Sequence, residues 1–137
     1  MDTLRLPPEL VEMMTRHASA CLPEEACGLL GGRNGTARLV TPVENALHSA
    51  RAYRMDAVQQ WTAFRALDEQ GLDLLAIFHS HPQGPAEPSP TDVEQFAYPG
   101  VATLILSPAG GGDWQARAFR LDGGNIVEME LRVEAAT

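Results

Sequence analysis

The distribution of apolar residues along the chain predicts helices in two places. Apolar positions recur at three- and four-residue spacings after a double proline, which is the pattern of an amphipathic helix over about 7–20. His17 falls on this apolar stripe and is expected to be a core-edge histidine with a structural role. The other members of the stripe are Leu6, Leu10, Met13 and Met14.

The segment from Asp56 to Gly71 predicts the clearer of the two helices. Asp56 with Gln59 three residues later forms an N-cap signature, and Gly71 supplies a C-terminal stop. Four apolar side chains are predicted to share one face of this helix. They are Val58, Trp61, Phe64 and Leu67.

Strand-like blocks fill most of the remaining chain. Apolar runs on both sides of an Asn-Gly-Thr turn predict a hairpin over about 26–43, and residues 44–55 are predicted to form a loop. Residues 73–78 are too short and too apolar for anything but a buried strand, which ends at His79. Three sequential strands are predicted farther on, over 101–107, 114–121 and 125–133.

Length and composition limit the class of protein and its partners. A chain of 137 residues with 45% apolar residues fits one domain over residues 1–137. A net charge of -8 disfavours nucleic acid and anionic membranes as partners, because both require clustered basic side chains. Neither a signal peptide nor a long apolar segment is present in the sequence, so a cytoplasmic location is expected, with Cys21 and Cys27 as thiols.

The segment HSHPQGPAEPSPTD, residues 79–92, carries the candidate chemistry. Side chains two apart on a strand point to the same side, so His79 and His81 can present two imidazole nitrogens to one metal ion while Ser80 faces away. A catalytic zinc site takes three protein ligands and leaves one position open. Asp92 is the best candidate for the third ligand, because the prolines between it and His81 turn the chain back toward the strand end.

The same residues have an interpretation that needs no metal. Ser89 is a natural N-cap, Pro90 is a favourable first residue of a helix, and Asp92 complements the helix dipole. The two interpretations are compatible with each other. A capped helix start that carries an acid, at this distance after two histidines, favours a metal site.

A hydrolytic metal site also needs an acceptor for the proton of water. Glu24 and Glu25 precede an apolar strand, and a carboxylate at the edge of a buried sheet can have a raised pKa. Residue pattern alone leaves open which of the two serves, or whether both are solvated loop acids. Cys27 is expected to be a packed thiol and not a nucleophile, because apolar residues follow it.

These residues together resemble the JAMM motif of the MPN+ metalloprotease family. Segments 45–56 and 98–107 are also similar to the flanking segments of small prokaryotic members of that family. The motif positions are Glu25, Cys27 and Gly28, then His79 to Pro82, then Ser89 and Asp92.

The resemblance implies a fold, a metal and a substrate class. The fold would be the α/β (α+β) MPN/JAMM fold, related to cytidine deaminase, with a central mixed β-sheet flanked by helices. One zinc ion per chain would be held by His79, His81 and Asp92, with Glu25 as general base and acid and Ser89 assisting the tetrahedral intermediate. The activity would be hydrolysis of the amide bond after the C-terminal Gly-Gly tail of ubiquitin-like or sulfur-carrier proteins, with the tail bound as an added strand beside the sheet.

Two other functions are compatible with the same motif. A non-catalytic MPN scaffold shares the fold, although it lacks the ligand set, and a metal-dependent amidase of small substrates shares the chemistry. A cupin would need another histidine downstream, and none follows His81. An amidohydrolase barrel would need about 200 residues or more.

Overall fold

The computed structural model of the protein describes residues 2–108 and 113–135. Within these ranges the chain alternates between strands and helices, and the long α1 and α2 differ from the short α3. The elements are β1 Thr3–Leu6, α1 Pro8–Cys21, β2 Cys27–Arg33, β3 Thr36–Val43, α2 Ala57–Glu69, β4 Asp73–Ser80, α3 Pro90–Gln95, β5 Ala102–Ser107, β6 Gln115–Asp122 and β7 Asn125–Val133.

The strands form one mixed sheet that closes on itself in the order β1-β3-β2-β4-β5-β6-β7. β2 pairs antiparallel with β3 and β4, while β4 pairs parallel with β5. The short strand β1 closes the sheet, because it pairs with both β3 and β7. The predicted mixed sheet is confirmed. Its closure was not predicted, because the first strand has only four residues and Leu6 was assigned to the following helix.

Helices α1 and α2 cover opposite faces of this sheet. Successive side chains of a strand point to opposite sides. Leu30 and Phe78 therefore join the core that α1 covers, whereas Leu29 and Ile77 join the core under α2. The prediction of a sheet flanked by helices is confirmed, and His79 lies on the side of α2 because it follows Ile77 by two residues.

The prediction that four apolar side chains share one face of α2 is partly wrong. Val58 and Trp61 are 73% and 61% exposed, whereas Ala63 and Leu67 are buried. A residue turns about 100° around a helix, so a uniform spacing of three falls about 60° behind at each step. Val58 and Leu67 consequently lie about 180° apart, and only the second half of the predicted stripe faces the sheet.

The predicted stripe of α1 needs a smaller correction. Leu6 belongs to β1, and Met13 is 46% exposed. The side chains that α1 buries follow a four-residue spacing instead, at Leu10, Met14 and Ala18. His17 is half-buried and packs edge-on against a core phenylalanine with ring centroids 6.3 Å apart, which agrees with its prediction as a core-edge histidine.

The remaining boundaries follow the sequence closely. The hairpin of β2 and β3 turns at Asn34 and Gly35, both of which have positive φ, as a tight two-residue turn requires. β4 extends two residues beyond its predicted end, so His79 is inside the strand.

No helix within residues 2–108 and 113–135 is long and apolar enough to cross a bilayer. Cys21 and Cys27 are free thiols.

Candidate metal centre

The site is built where β2 begins beside the end of β4. Cys27 pairs with His79 in this antiparallel ladder. One residue farther out, the Ser80 N–H donates to the Ala26 carbonyl at 3.0 Å, and the Ala26 N–H donates to Ser80 Oγ at 2.8 Å. Ser80 is fully buried on the side opposite the histidines, as predicted. This pairing fixes Glu25, the residue before Ala26, next to the end of β4.

His79, His81 and Asp92 converge on one point. The Nε2 atoms of the two histidines lie 3.1 Å apart, and Asp92 Oδ2 lies 3.2 Å from His79 Nε2 and 3.1 Å from His81 Nε2. In a tetrahedral zinc site with ligands at about 2.0–2.1 Å, neighbouring ligand atoms lie about 3.3–3.4 Å apart. The triangle of donor atoms is therefore close to one face of such a tetrahedron.

The hydrogen bonding of His81 indicates that a cation belongs between these atoms. His81 Nδ1 donates to the Pro85 carbonyl at 2.9 Å, so in the neutral ring Nε2 presents a lone pair. That lone pair faces Asp92 Oδ2 at 3.1 Å. Two lone pairs at this distance repel each other unless a proton or a metal ion lies between them, so the donor set fits a metal ion.

Asp92 reaches this point from the first turn of α3. Ser89 Oγ accepts from the Asp92 N–H at 3.1 Å, and the Ser89 N–H donates to Asp92 Oδ2 at 2.8 Å, which completes a capping box. The helix start predicted from the sequence is confirmed. Asp92 caps the helix and also contacts both histidines. A role in the helix alone therefore does not account for its position.

A small apolar cluster anchors α3 against the sheet. Val93 of the helix and Phe96, the residue that follows the helix, pack against buried residues of β5 and β6. Ala86, in the proline-rich segment that precedes the helix, is fully buried in the same cluster. The partners in the sheet are Ile105, Phe119 and Leu121. This packing explains how a six-residue helix can hold Asp92 in a fixed place.

The electrostatics of the site follow from burial and from these contacts. Burial alone would raise the pKa of Asp92, but the contacts of its carboxylate with His79 and His81 outweigh this effect and hold the pKa well below its usual range. Burial lowers the pKa of His79, which favours a neutral imidazole. At His81 the effect of burial is outweighed by the contacts with Asp92 and the Pro85 carbonyl, which raise its pKa. His79 and Asp92 thus have the protonation states that bind zinc, whereas His81 must be neutral to do so.

Glu25 lies beside this triangle with a carboxyl oxygen that has no partner. Its side chain is 5% exposed, and Oε1 is buried with no hydrogen-bond partner among the described residues. One donor atom from each of Glu25, His79 and His81 lies within 4.8 Å of the others. Burial raises the pKa of Glu25 to about 7, so its carboxyl group can gain and lose a proton near neutrality.

The structure separates Glu25 from Glu24, which the residue pattern alone did not. Glu24 Oε1 accepts a hydrogen bond from His48 Nδ1 at 3.1 Å in the loop of residues 44–55. That contact holds Glu24 away from His79 and His81. Of the two neighbouring acids, only Glu25 lies beside the donor triangle.

The sequence analysis missed Asn45, which organises the loop 44–55 around Glu25. Asn45 is buried, and its Nδ2 lies 3.1 Å from the Glu25 carbonyl, 3.4 Å from the Ser49 carbonyl and 3.0 Å from the Ala52 carbonyl. Its Oδ1 accepts from two backbone N–H groups farther along the loop. The Ser49 carbonyl in turn accepts from the Glu25 N–H at 2.8 Å. An asparagine between two apolar segments could have suggested a loop hub, but its partners are too distant in sequence to predict.

Tyr53 is a second residue that the sequence analysis missed. Its ring stacks on the His79 imidazole with centroids 4.7 Å apart and an interplanar angle of 24°. Burial raises the pKa of Tyr53 well above its usual range, so it remains neutral. The stack closes the side of His79 that faces the loop and restricts rotation of the imidazole.

The dipeptide Cys27-Gly28 has a packing role. Cys27 is fully buried, its thiol donates to the Val43 carbonyl at 3.3 Å, and burial raises its pKa to about 12. This agrees with the prediction of a packed thiol. A Cβ at Gly28 would lie 2.4 Å from the Phe78 ring and 2.5 Å from the Thr41 carbonyl, so only glycine fits between these neighbours.

Two cavities open on either side of the donor triangle. A cavity of about 220 Å³ is lined by His79, Asp92, Tyr53 and Tyr98 among others. A second cavity, of about 380 Å³, contains Glu25 and lies along residues 81–85 and 87–89. A substrate that crosses the donor triangle from one cavity to the other would place its central bond beside Glu25.

Comparison with known proteins relates this site to a family of hydrolases. The profile of the family described as prokaryotic homologs of the JAB domain matches residues 7–122. A probable TtuB-protein conjugate cleaving protease of Thermus thermophilus is 41% identical over 127 residues, which cover 92% of this chain and 81% of that protein. A CysO-cysteine peptidase of Mycobacterium tuberculosis is 32% identical over 127 residues, which cover 91% of this chain and 87% of that protein.

A solved structure shares the architecture. The solution structure of a protein from Desulfitobacterium hafniense superposes with a TM-score of 0.88 at 34% sequence identity. The superposition covers 97% of this chain and 94% of that protein. The closed mixed sheet and its flanking helices are thus shared with an experimentally determined structure.

Replacement of Asn45 by alanine is expected to destabilise the protein. The substitution removes the Asn45 amide donor from the Glu25 and Ala52 carbonyls, and an unsatisfied buried polar group costs about 1–3 kcal/mol. We expect the free energy of unfolding, measured by urea denaturation, to fall by about 2–4 kcal/mol. The control is Asn125→Ala at an exposed asparagine, which should change stability by less than about 0.5 kcal/mol. Equal midpoints for both variants would contradict the role given to Asn45.

Proposed function

Because the chain belongs to the family of prokaryotic homologs of the JAB domain, we propose that it is a zinc-dependent metalloprotease that cleaves conjugates of a ubiquitin-like or sulfur-carrier protein. The bond cleaved is the amide after the C-terminal Gly-Gly tail of the carrier. One observation carries the proposal: the donor atoms of His79, His81 and Asp92 lie 3.1–3.2 Å from one another beside the buried carboxyl group of Glu25.

In this proposal His79, His81 and Asp92 hold one zinc ion per chain. Zinc supplies Lewis-acid chemistry, because it polarises a carbonyl group and lowers the pKa of water to about 7. Glu25 has donor atoms near both histidines and is a second candidate ligand on distance alone. We assign it a different role, because Asp92 lies closer to both imidazoles and is held there by its cap.

The proton transfers are assigned to Glu25. Its unpartnered Oε1 accepts a proton from the attacking water and then donates it to the leaving amine, which the raised pKa of the carboxyl group favours. Ser89 Oγ accepts from the Asp92 N–H, so its own O–H remains available to donate to a developing oxyanion. Both groups line the cavity of about 380 Å³, on the same side of the donor triangle.

The carrier tail is assigned to the smaller cavity. The tail was expected to add as a strand beside the sheet, but it cannot do so beside β4 itself, because β4 is already paired with β2 and β5. The cavity of about 220 Å³, which Tyr53 and Tyr98 help to line, contains His79 and Asp92 and is the site we assign to the tail. Its small volume suits glycine residues, which have no side chain.

The relatives support the substrate class. By name, the Thermus thermophilus relative cleaves TtuB-protein conjugates and the Mycobacterium tuberculosis relative is a CysO-cysteine peptidase. The alternative of a non-catalytic scaffold is disfavoured, because the full set of candidate ligands converges. A small-substrate amidase is disfavoured by the cavities on both sides of the donor triangle, which accommodate an extended chain.

Loss of one proposed ligand is expected to release the metal. His79→Ala and Asp92→Ala should purify with little zinc, because two protein ligands hold the ion weakly. The control is His48→Asn, at an exposed histidine with positive φ that asparagine tolerates. Elemental analysis should give about one zinc per chain in the wild type and the control. Stoichiometric zinc in both ligand variants would refute the assignment.

Glu25→Gln is expected to keep the zinc and the fold but to lose turnover. The amide cannot accept a proton, so kcat should fall by about 10²-fold or more. Glu24→Gln is the matched control, because Glu24 contacts His48 and faces away from the site. An active Glu25→Gln together with an inactive Glu24→Gln would show that the wrong acid was assigned.

A bulky residue at the end of the carrier tail is expected to block cleavage. Two carrier fusions that differ only in the last tail residue, Gly-Gly against Gly-Val, are incubated with zinc-loaded enzyme. We expect the valine side chain to exceed the room in the cavity of about 220 Å³, so kcat/KM should fall by about 10²-fold, equivalent to about 2.7 kcal/mol. Comparable cleavage of both fusions would favour a peptidase without tail selectivity.

A further inference from the structure

The cavity that contains Glu25 also contains one cationic side chain that has no partner. Arg51, in the loop 44–55, lines this cavity together with Glu25 and Ser89. The Arg51 guanidinium makes no hydrogen bond or ion pair with any residue in the described parts of the chain. Exposed arginines seldom need a partner, so its position relative to the other charges decides what it can bind.

The other charged groups of this cavity already have partners or roles. Glu87 pairs with Arg117 at 3.2 Å, and His81 faces Asp92. Glu25 carries the proposed proton transfers. Arg51 is thus the cation of this cavity that is free to bind a substrate anion, in a chain whose net charge is -8.

The backbone fixes Arg51 relative to Glu25. The Arg51 N–H donates to Ser49 Oγ at 3.1 Å, and the Ser49 carbonyl accepts from the Glu25 N–H at 2.8 Å. Asn45 binds the loop on both sides of Arg51, at the carbonyls of Ser49 and Ala52. Arg51 also lines the smaller cavity that contains His79, so it lies at the junction of the two cavities.

The hydrolysis places the leaving amine in the cavity of Glu25. The oxygen of water bonds to the carrier carbonyl carbon, the C–N bond breaks, and the amine nitrogen takes up a proton from Glu25. In a free amino acid, the α-carboxylate is separated from that nitrogen by Cα alone. A lysine side chain attached to a protein has only methylene groups at that place, and a longer peptide has an amide.

We propose that Arg51 binds the α-carboxylate of a leaving free amino acid, so that the preferred substrates are carriers joined through their Gly-Gly tail to the α-amine of a single amino acid. This inference rests on the proposed function. Glu25 and Arg51 then face the two ends of the departing molecule, with the acid at its amine and the guanidinium at its carboxylate. A guanidinium is suited to this role because its donors match the two oxygens of a carboxylate.

The experiment compares three conjugates of one Gly-Gly carrier with zinc-loaded enzyme. The carrier is joined to the α-amine of alanine, to the α-amine of alanine amide, and to the side-chain amine of a lysine peptide. We expect kcat/KM for the alanine conjugate to exceed that for the other two by about 10- to 100-fold, the effect of one charge-assisted contact. In Arg51→Gln the ratio of acid to amide should fall to about 1.

Two further variants sharpen the test. Arg38→Gln is the matched control, because Arg38 is exposed and lines a cavity distant from the histidines, and it should keep the wild-type ratio. In a Glu25→Gln background, the equilibrium dissociation constants of the acid and amide conjugates should differ by about the same factor, and Arg51→Gln should abolish the difference. Thermal unfolding checks that each variant is folded.

The outcomes separate this inference from the proposed function. Cleavage of all three conjugates at similar rates, or faster cleavage of the lysine conjugate, would refute the role of Arg51 and leave the proposed function intact. An unchanged ratio in Arg51→Gln would do the same. Failure of the zinc-loaded wild type to cleave any conjugate would overturn the proposed function and this inference with it.

Discussion

The reciprocal hydrogen bonds between Ala26 and Ser80 are the constraint on which the rest of the site depends. They set the register of β2 against β4 at the point where both strands reach the site. Because side chains alternate along a strand, a slip of one residue would turn His79 into the core and Ser80 into the site. The same pairing places Glu25 beside the end of β4, so the candidate acid and two candidate ligands share one structural origin.

The site concentrates polar groups in a place where burial is costly. His79 and Glu25 are almost fully buried, and each leaves one polar atom without a hydrogen-bond partner among the described residues. Such groups persist in folded proteins where function requires them. The surrounding structure supports them through three separate devices: the cap of α3 holds Asp92, Asn45 holds the loop around Glu25, and the Tyr53 ring stacks on His79.

Local patterns in the sequence predicted those parts of the site that depend on neighbouring residues. The convergence of His79, in β4, and His81, just after it, and the capped start of α3 are encoded within fourteen positions, and both are observed as predicted. The choice between Glu24 and Glu25 was different, because it depends on strand register and on a contact with His48. Residue pattern left it open, and only the family resemblance pointed to Glu25.

The features that the sequence did not predict correctly also depend on contacts between distant residues. The orientation of α2 depends on where it meets the sheet, so an apolar spacing of three gave the wrong face for Val58 and Trp61. The closure of the sheet depends on β1, whose four residues pair with strands far away in sequence. The roles of Asn45 and Arg51 depend on the path of a loop that carries no periodic pattern. Tertiary contacts decide each of these features, and no local motif reports them.

An anomalous difference map at the zinc absorption edge, from crystals of the wild-type protein, tests the central claim most directly. The account predicts one peak, about 2.0–2.2 Å from His79 Nε2, His81 Nε2 and Asp92 Oδ2, with the Glu25 carboxyl group outside the coordination sphere. A peak that is coordinated by Glu25 in place of Asp92, or the absence of a peak from protein grown and purified with zinc, would contradict it.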